Sequence, residues 1–311
     1  MNRLLLAGIM AGAAVSLVSC DKENGSGSSY SSTTPVSAYN LYVSAAGDGE
    51  AYTGTAVYKF TLKIPEYTIQ LAADAMATPG GSTASFSTVE MNFATAYVSV
   101  DDMSREVIAF GAEDAAEGGT KVSGLKGYLT QAAYLPVGET VPGYTVLVPS
   151  NSLHYAVMQY TLNDRWNVRT FWPDATFRGS TVTSYPGMTD AYSTDGISYR
   201  VVMQLRDGAI SDKADVIFYN AKFAPNAPEI TVVLKNLDLQ FTENGYTVSG
   251  VDAIPYMVEA GALQETPRFK FNRFDMDVTG DLTTAVIGYQ VADVYTGSFT
   301  GVSVVRPVSG N

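Results

Sequence analysis

Leu237-Asp238-Leu239-Gln240-Phe241-Thr242-Glu243-Asn244-Gly245-Tyr246-Thr247-Val248-Ser249-Gly250-Val251 is the stretch whose reading decides the fold. Leu237, Leu239 and Phe241 alternate with Asn236, Asp238 and Gln240, which is the period of a half-buried strand. Asn244-Gly245 is the strongest short-range hairpin signal in the chain, because both residue types tolerate positive φ. Tyr246 to Val251 then runs back as the second strand. The spacing predicts a two-residue turn at Asn244-Gly245 with Gly245 at positive φ. A one-residue slip in this pairing would turn Leu237, Leu239 and Phe241 toward water, so the register is strongly specified.

The same pattern continues on both sides. Tyr58, Phe60, Leu62 and Ile64 alternate, Pro65-Glu66 interrupts, and Tyr67, Ile69 and Leu71 resume, which predicts a hairpin. Met158–Leu162 and Trp166–Phe171 predict another around Asn163-Asp164. Thr88–Val100, Glu106–Phe110, Tyr144–Val148, Tyr199–Arg206 and Val216–Tyr219 read as further strands. Ala112–Gly119 reads as a loop. Thr176–Asp195 reads as a polar segment, with turns at Pro186-Gly187 and Asp195-Gly196. In Phe269–Thr279 the apolar parity switches between Phe271 and Phe274, which predicts a β-bulge at Asn272-Arg273. Charged residues are 16% of the chain and aromatic residues 11%, with 20 Tyr. Long helical periodicity is rare, and the expected class is all-β and antiparallel.

Two short echoes suggest duplication. Gly143-Tyr144-Thr145-Val146 recurs as Gly245-Tyr246-Thr247-Val248. Tyr58–Leu62 before Asp74-Ala75 resembles Met158–Leu162 before Asp174-Ala175.

The N-terminus has its own pattern. Asn2-Arg3 is a short positive segment, and Leu4 to Val18 is apolar but shorter than the roughly 20 residues a membrane-spanning helix needs. Leu17-Val18-Ser19-Cys20 resembles the lipobox of bacterial lipoproteins. That resemblance implies cleavage before Cys20, which then carries two or three acyl chains, with residues 1–19 as signal peptide. Asp21-Lys22-Glu23 resembles the acidic export signal of surface lipoproteins of the Bacteroidetes, which implies an outer-membrane, cell-surface location, with a periplasm-facing one as the alternative. Gly25 to Pro35 is Gly/Ser/Thr-rich and cannot bury a core, so residues 20–36 are expected to form a disordered tether. Cys20 is the only cysteine, and once acylated it leaves no thiol for a disulfide. The remainder divides into an N-terminal β domain, 37–154, and a C-terminal one, 155–311.

Val216-Ile217-Phe218-Tyr219-Asn220-Ala221-Lys222-Phe223, Pro228-Glu229-Ile230, Gly245-Tyr246-Thr247-Val248 and Ile254-Pro255 resemble the pattern of calycin-like (lipocalin-like) β-barrel domains, which occur in Bacteroidetes lipoproteins. The resemblance implies a barrel over residues 155–311 and a matching one before it, with paired β-sandwiches as the alternative. It further implies a cavity for a small apolar ligand, and it brings no shared catalytic residues.

Composition and motifs narrow the function. A net charge of −12 repels phosphate backbones, which argues against nucleic-acid partners. His154 is the only histidine, too few for a zinc site, and no Gly-x-Ser-x-Gly elbow accompanies it. Asp101-Asp102, Glu113-Asp114 and the pair Asp275 and Asp277 are the carboxylate candidates, each read as a solvated face. Gly80-Gly81-Ser82 lacks the Lys of a phosphate loop. No cofactor or metal is implied. Trp166 and Trp172 share one strand parity, and with Tyr160 they are the candidate ligand-binding residues, as a sugar platform or pocket lining. The expected function is non-enzymatic binding of a small apolar ligand or glycan by a membrane-anchored lipoprotein. A fimbria-like structural or adhesive protein and a carboxylate-based hydrolase are the alternatives.

Overall fold

The protein is described by a computed structural model over residues 29–31, 36–63, 68–79, 82–100, 106–117, 119–130, 141, 155–207, 209–279 and 282–304. The described elements are β-strands and one 3₁₀ turn. Two compact units are present: Met1–Leu135 with Ser150–Trp172 and Arg306–Asn311 form the first, and Pro136–Pro149 with Pro173–Val305 form the second.

The strands of the first unit are β1 (Ser29–Ser31), β2 (Val36–Ser44), β3 (Ala51–Lys63), β4 (Thr68–Thr78), β5 (Ser82–Val100), β6 (Glu106–Ala112), β7 (Ala115–Glu117), β8 (Thr120–Thr130), β9 (Tyr155–Leu162) and β10 (Trp166–Phe171). Sequential antiparallel neighbours run β2-β3-β4-β5-β6-β8-β9-β10, and β10 pairs back onto β2, so the pairing closes a ring of eight. The second unit contains β11 (Asp174–Ser184), β12 (Tyr192–Arg206), β13 (Ala209–Ala221), β14 (Ile230–Thr242), β15 (Gly245–Ala253), β16 (Tyr256–Glu259), β17 (Ala262–Glu265), the 3₁₀ turn Pro267–Phe269, β18 (Phe271–Thr279), β19 (Thr284–Val291) and β20 (Tyr295–Ser303). Its ring is β11-β12-β13-β14-β15-β18-β19-β20, closed by β11 on β20, with the β16–β17 hairpin attached beside β14. The architecture is all-β, two antiparallel meander barrels of calycin type. Closure removes the unpaired edges that an open sheet would expose.

Several expectations shift at this level. β9 and β10 pair with β8 and β2, so the first unit runs past residue 154 to Trp172, while Pro136–Pro149, expected in the N-terminal domain, belong with the second unit. The tether expected over 20–36 is shortened: Ser29–Ser31 pair with Thr61–Lys63, continuing the edge that β2 leaves off. The reason is backbone satisfaction, since the end of β3 has N–H and C=O groups open on that side. Within the expected loop Ala112–Gly119, Ala115–Glu117 pair with β8. Asp195-Gly196 is no turn. β12 runs through it with one extra residue opposite Gly179–Thr181 and Gly196 at φ 74°, a glycine-bearing bulge. The echo of Tyr58–Leu62 in Met158–Leu162 joins the second strand of the ring to the seventh, so it marks no equivalent positions. Gly143–Val146 and Tyr144–Val148 lie outside the described residues.

The deciding hairpin forms with a one-residue shift. Thr242 faces Gly245, so Glu243-Asn244 are the loop residues and Gly245 opens β15. Gly245 takes φ 156°, and a Cβ on it would stand 1.9 Å from the Val278 carbonyl oxygen. Glycine is required here by close strand approach more than by the turn. The bulge foreseen at Asn272-Arg273 is present, since the β18–β19 register shifts between Phe271 and Arg273. Phe271, Phe274, Met276 and Val278 thereby all point into the barrel.

The second barrel is filled along its middle by aromatic rings. Phe218 is fully buried, with ring centroids of Tyr199, Phe271, Phe274 and Tyr289 at 4.5, 5.5, 5.9 and 6.1 Å. Phe299 packs against Tyr199 with the ring centroids 4.3 Å apart and the planes tilted by 47°. The opposite face of β12 and β13 is also covered. Val202, Ile217, Tyr219 and Val233 pack with Val141, Tyr256, Val258 and Leu263. Beside them Arg200 makes a bidentate bond to buried Asp174, and its Nη1 donates to the Tyr219 hydroxyl at 3.4 Å. Burial opposes the Arg200 charge, but the hydrogen bonds and charge of Asp174 outweigh it and raise its pKa.

Candidate functional site

One end of the second barrel holds a cavity of about 440 Å³. Local backbone chemistry builds its walls. Asn220 adopts φ 51° near the end of β13 and turns the chain into the segment before β14. Ala227 N–H donates to the Ala224 carbonyl there and tightens that segment. Ala260-Gly261, both at positive φ, form the two-residue turn of the β16–β17 hairpin, with Glu259 facing Ala262. Thr266 N–H donates to the Pro255 carbonyl at 2.8 Å and ties off the hairpin's base. The 3₁₀ turn then presents Arg268 and Phe269 before β18 begins.

Phe271, fully buried, belongs to both the cavity lining and the aromatic core beneath it. Phe223 meets Tyr289 edge-on at 5.9 Å and Tyr295 at 6.4 Å, so Phe223 and Tyr295 stand together in the wall. Ile230, Met257, Val258 and Val291 supply aliphatic surface, and Asn220 and Thr231 supply neutral polar groups. The charged members are Glu229, Glu259 and Arg268. The Arg268 guanidinium lies 4.9 Å from the Phe269 ring centre and 3.8 Å from a Glu259 oxygen. Tyr289, just behind the lining, has its hydroxyl pKa raised by burial, with bonds from Thr183 and Tyr199 pulling the other way. A concave, largely apolar lining with few polar groups suits uptake of an apolar body.

The residues singled out in the sequence lie elsewhere. Tyr160 is buried in the first ring, its hydroxyl 2.8 Å from that of Tyr58, which donates to Asn40 Oδ1 at 2.9 Å. Asn40 Nδ2 in turn donates to the Tyr42 hydroxyl. Trp172 is 5% exposed. Trp166 is half-buried, edge-on to Tyr52 at 5.7 Å, with the Arg165 guanidinium 5.2 Å from its ring. Tyr160 belongs to one core cluster and Trp166 packs against it, and none of the three residues lines the cavity. Asp275 and Asp277 sit on the outer face of β18, where Asp275 binds Arg273. Asp114 accepts the Gly124 N–H at 2.8 Å. Cys20, His154 and Asp101-Asp102 lie outside the described residues. Among the described residues no cluster of three His, Cys, Asp or Glu could hold a metal, and no helix is long and apolar enough to cross a membrane.

Sequence reading assigns no site role to Phe223, Arg268, Phe269 or Tyr295. Phe269 shares the strand parity of Phe271, although Pro267, two residues before it, argues for a turn.

No family model matches the chain, and no curated protein matches it. Among solved structures, the chain is similar to a protein of unknown function from the DUF3598 family of Nostoc punctiforme, at 12% identity, covering 86% of this chain and 94% of that one, with a TM-score of 0.20.

Proposed function

We propose that this protein is a non-enzymatic, membrane-anchored lipoprotein that takes up a small apolar ligand at the mouth of its second barrel. The observation that carries the reading is the aromatic-lined cavity of about 440 Å³, a volume in the range of small-molecule sites. The filled barrel below it sets the depth: a ligand rests on Phe271 instead of threading the barrel axis. An apolar lining favours a hydrophobic body over a glycan. Ring closure leaves no open edge among the eight barrel strands of each unit, which supports binding over a fimbria-like role built on exchange of a barrel strand.

The anchor rests on Leu17-Val18-Ser19-Cys20. About nine residues separate Cys20 from the paired Ser29, which limits the reach from the bilayer to about 30 Å. Two or more acyl chains give stable attachment where one is marginal. The acidic residues after Cys20 support outer-membrane localisation facing the cell surface.

Titration of a neutral naphthyl dye into the purified full chain tests the binding reading. Saturable fluorescence enhancement is expected, and Ala227→Trp, which places an indole in the cavity, is expected to abolish it. Equal enhancement by the variant would refute the site.

A further inference from the structure

We infer that the ligand of the barrel-mouth cavity carries a positive charge, an ammonium or amidinium group on an apolar body. The inference rests on the binding reading above and specifies its chemistry. Three charged side chains line the cavity, two carboxylates and one guanidinium. The guanidinium is already engaged, since Arg268 lies against the Phe269 ring and pairs with Glu259. Another nearby cation is engaged too: Lys270 binds Asp252 at 2.7 Å. Among the described residues no cation pairs with Glu229, which is exposed at the cavity rim, so the three charged lining residues sum to one negative charge.

The aromatic surface has the same preference. Ring faces carry the negative part of the quadrupole and attract cations. Phe223, Phe269, Phe271 and Tyr295 all line the cavity. The contact of Arg268 with Phe269 shows one such face accepting a cation within this chain. A net charge of −12 adds a long-range field that draws cations toward the protein and repels anions. An anionic amphiphile would have to take Arg268 from Glu259 and would still face Glu229.

Calorimetric titration of the full chain with octyltrimethylammonium, octanol and octanesulfonate, which share one chain length, tests the inference. An exposed cation–π contact plus an exposed ion pair predicts that the ammonium binds about five- to twentyfold tighter than octanol, with the sulfonate weakest. Glu229→Gln should remove most of that advantage and leave octanol unchanged. Octanol or sulfonate binding as tightly as the ammonium would overturn the charge inference while the cavity reading stands, as would an unchanged ammonium affinity in Glu229→Gln. If none of the three binds, or if Ala227→Trp fails to block them, the cavity reading itself is refuted and this inference with it.

Discussion

Replacing Phe218 by alanine tests whether the second barrel is a packed solid or an open calyx. The Phe218 ring is fully buried and touches four other rings. Removing it deletes about 100 Å³, and at about 24 cal/mol per Å³ of unrelaxed cavity this costs about 2.4 kcal/mol. Lost transfer free energy for the ring adds about 2 kcal/mol. The total, about 4 kcal/mol, lies within the usual range for buried Phe→Ala. Collapse is limited here, because the surrounding rings are held on hydrogen-bonded strands on every side of a closed barrel. The assay is urea unfolding followed by near-ultraviolet circular dichroism, which reports the packed aromatic rings. A loss of 3–5 kcal/mol is expected, with an unchanged denaturant slope. A loss below about 1.5 kcal/mol would mean that water or space already adjoins Phe218 and that the barrel is not filled; a Phe218→Leu variant, which keeps most of the volume, should recover at least half of the stability.

Four further outcomes are expected. Gly245→Ala should cost about 1–3 kcal/mol, because its Cβ meets the Val278 backbone and one strand must move; a neutral melt would contradict the close β15–β18 approach. Burial pushes the Tyr42 hydroxyl up to about 12, against a lowering bond from Asn40, and burial raises Tyr58 and Tyr160 as well. The unfolded chain releases these protons near pH 10 while the native state keeps them, so stability is complete below pH 10 and falls above it by about 1.4 kcal/mol per pH unit for each such tyrosine; urea midpoints that stay flat from pH 10 to 12 would refute the buried network. Starting the chain at residue 36 instead of 21 should lower Tm by about 2–4 °C, or about 1 kcal/mol, through loss of the β1 pairing; identical melts would mean that β1 contributes nothing. Cys20→Ala should move the protein from the detergent phase to the aqueous phase on temperature-induced partitioning, and retention in detergent would remove the anchor assignment.

Local alternation determined much of this molecule. Leu237, Leu239 and Phe241 against Asp238 and Gln240, and the parity switch at Asn272-Arg273, specified which faces are buried, because a strand's side-chain period is two and water punishes a slip at every position. Those patterns were enough for an all-β antiparallel class and for individual hairpins. They could not say where one ring ends, because strands such as β9 and β10 look the same whether they close the first barrel or open the second. Only the long-range pairing of Phe171 with Tyr39 and of Val168 with Tyr42 decides that. The turn at Glu243-Asn244 and the bulge at Asp195-Gly196 were misread for a related reason: glycine marks a backbone that approaches closely or bends, and sequence does not tell which. The site was the least legible part. Trp166, Trp172 and Tyr160 drew attention by aromatic density, which is also what a packed core requires. The cavity instead gathers Phe223, Ile230, Met257, Phe269 and Tyr295 from separate stretches of the chain, each ordinary in its own neighbourhood. Closure of the barrel brings them to one mouth, and that closure is a property of the whole ring of strands.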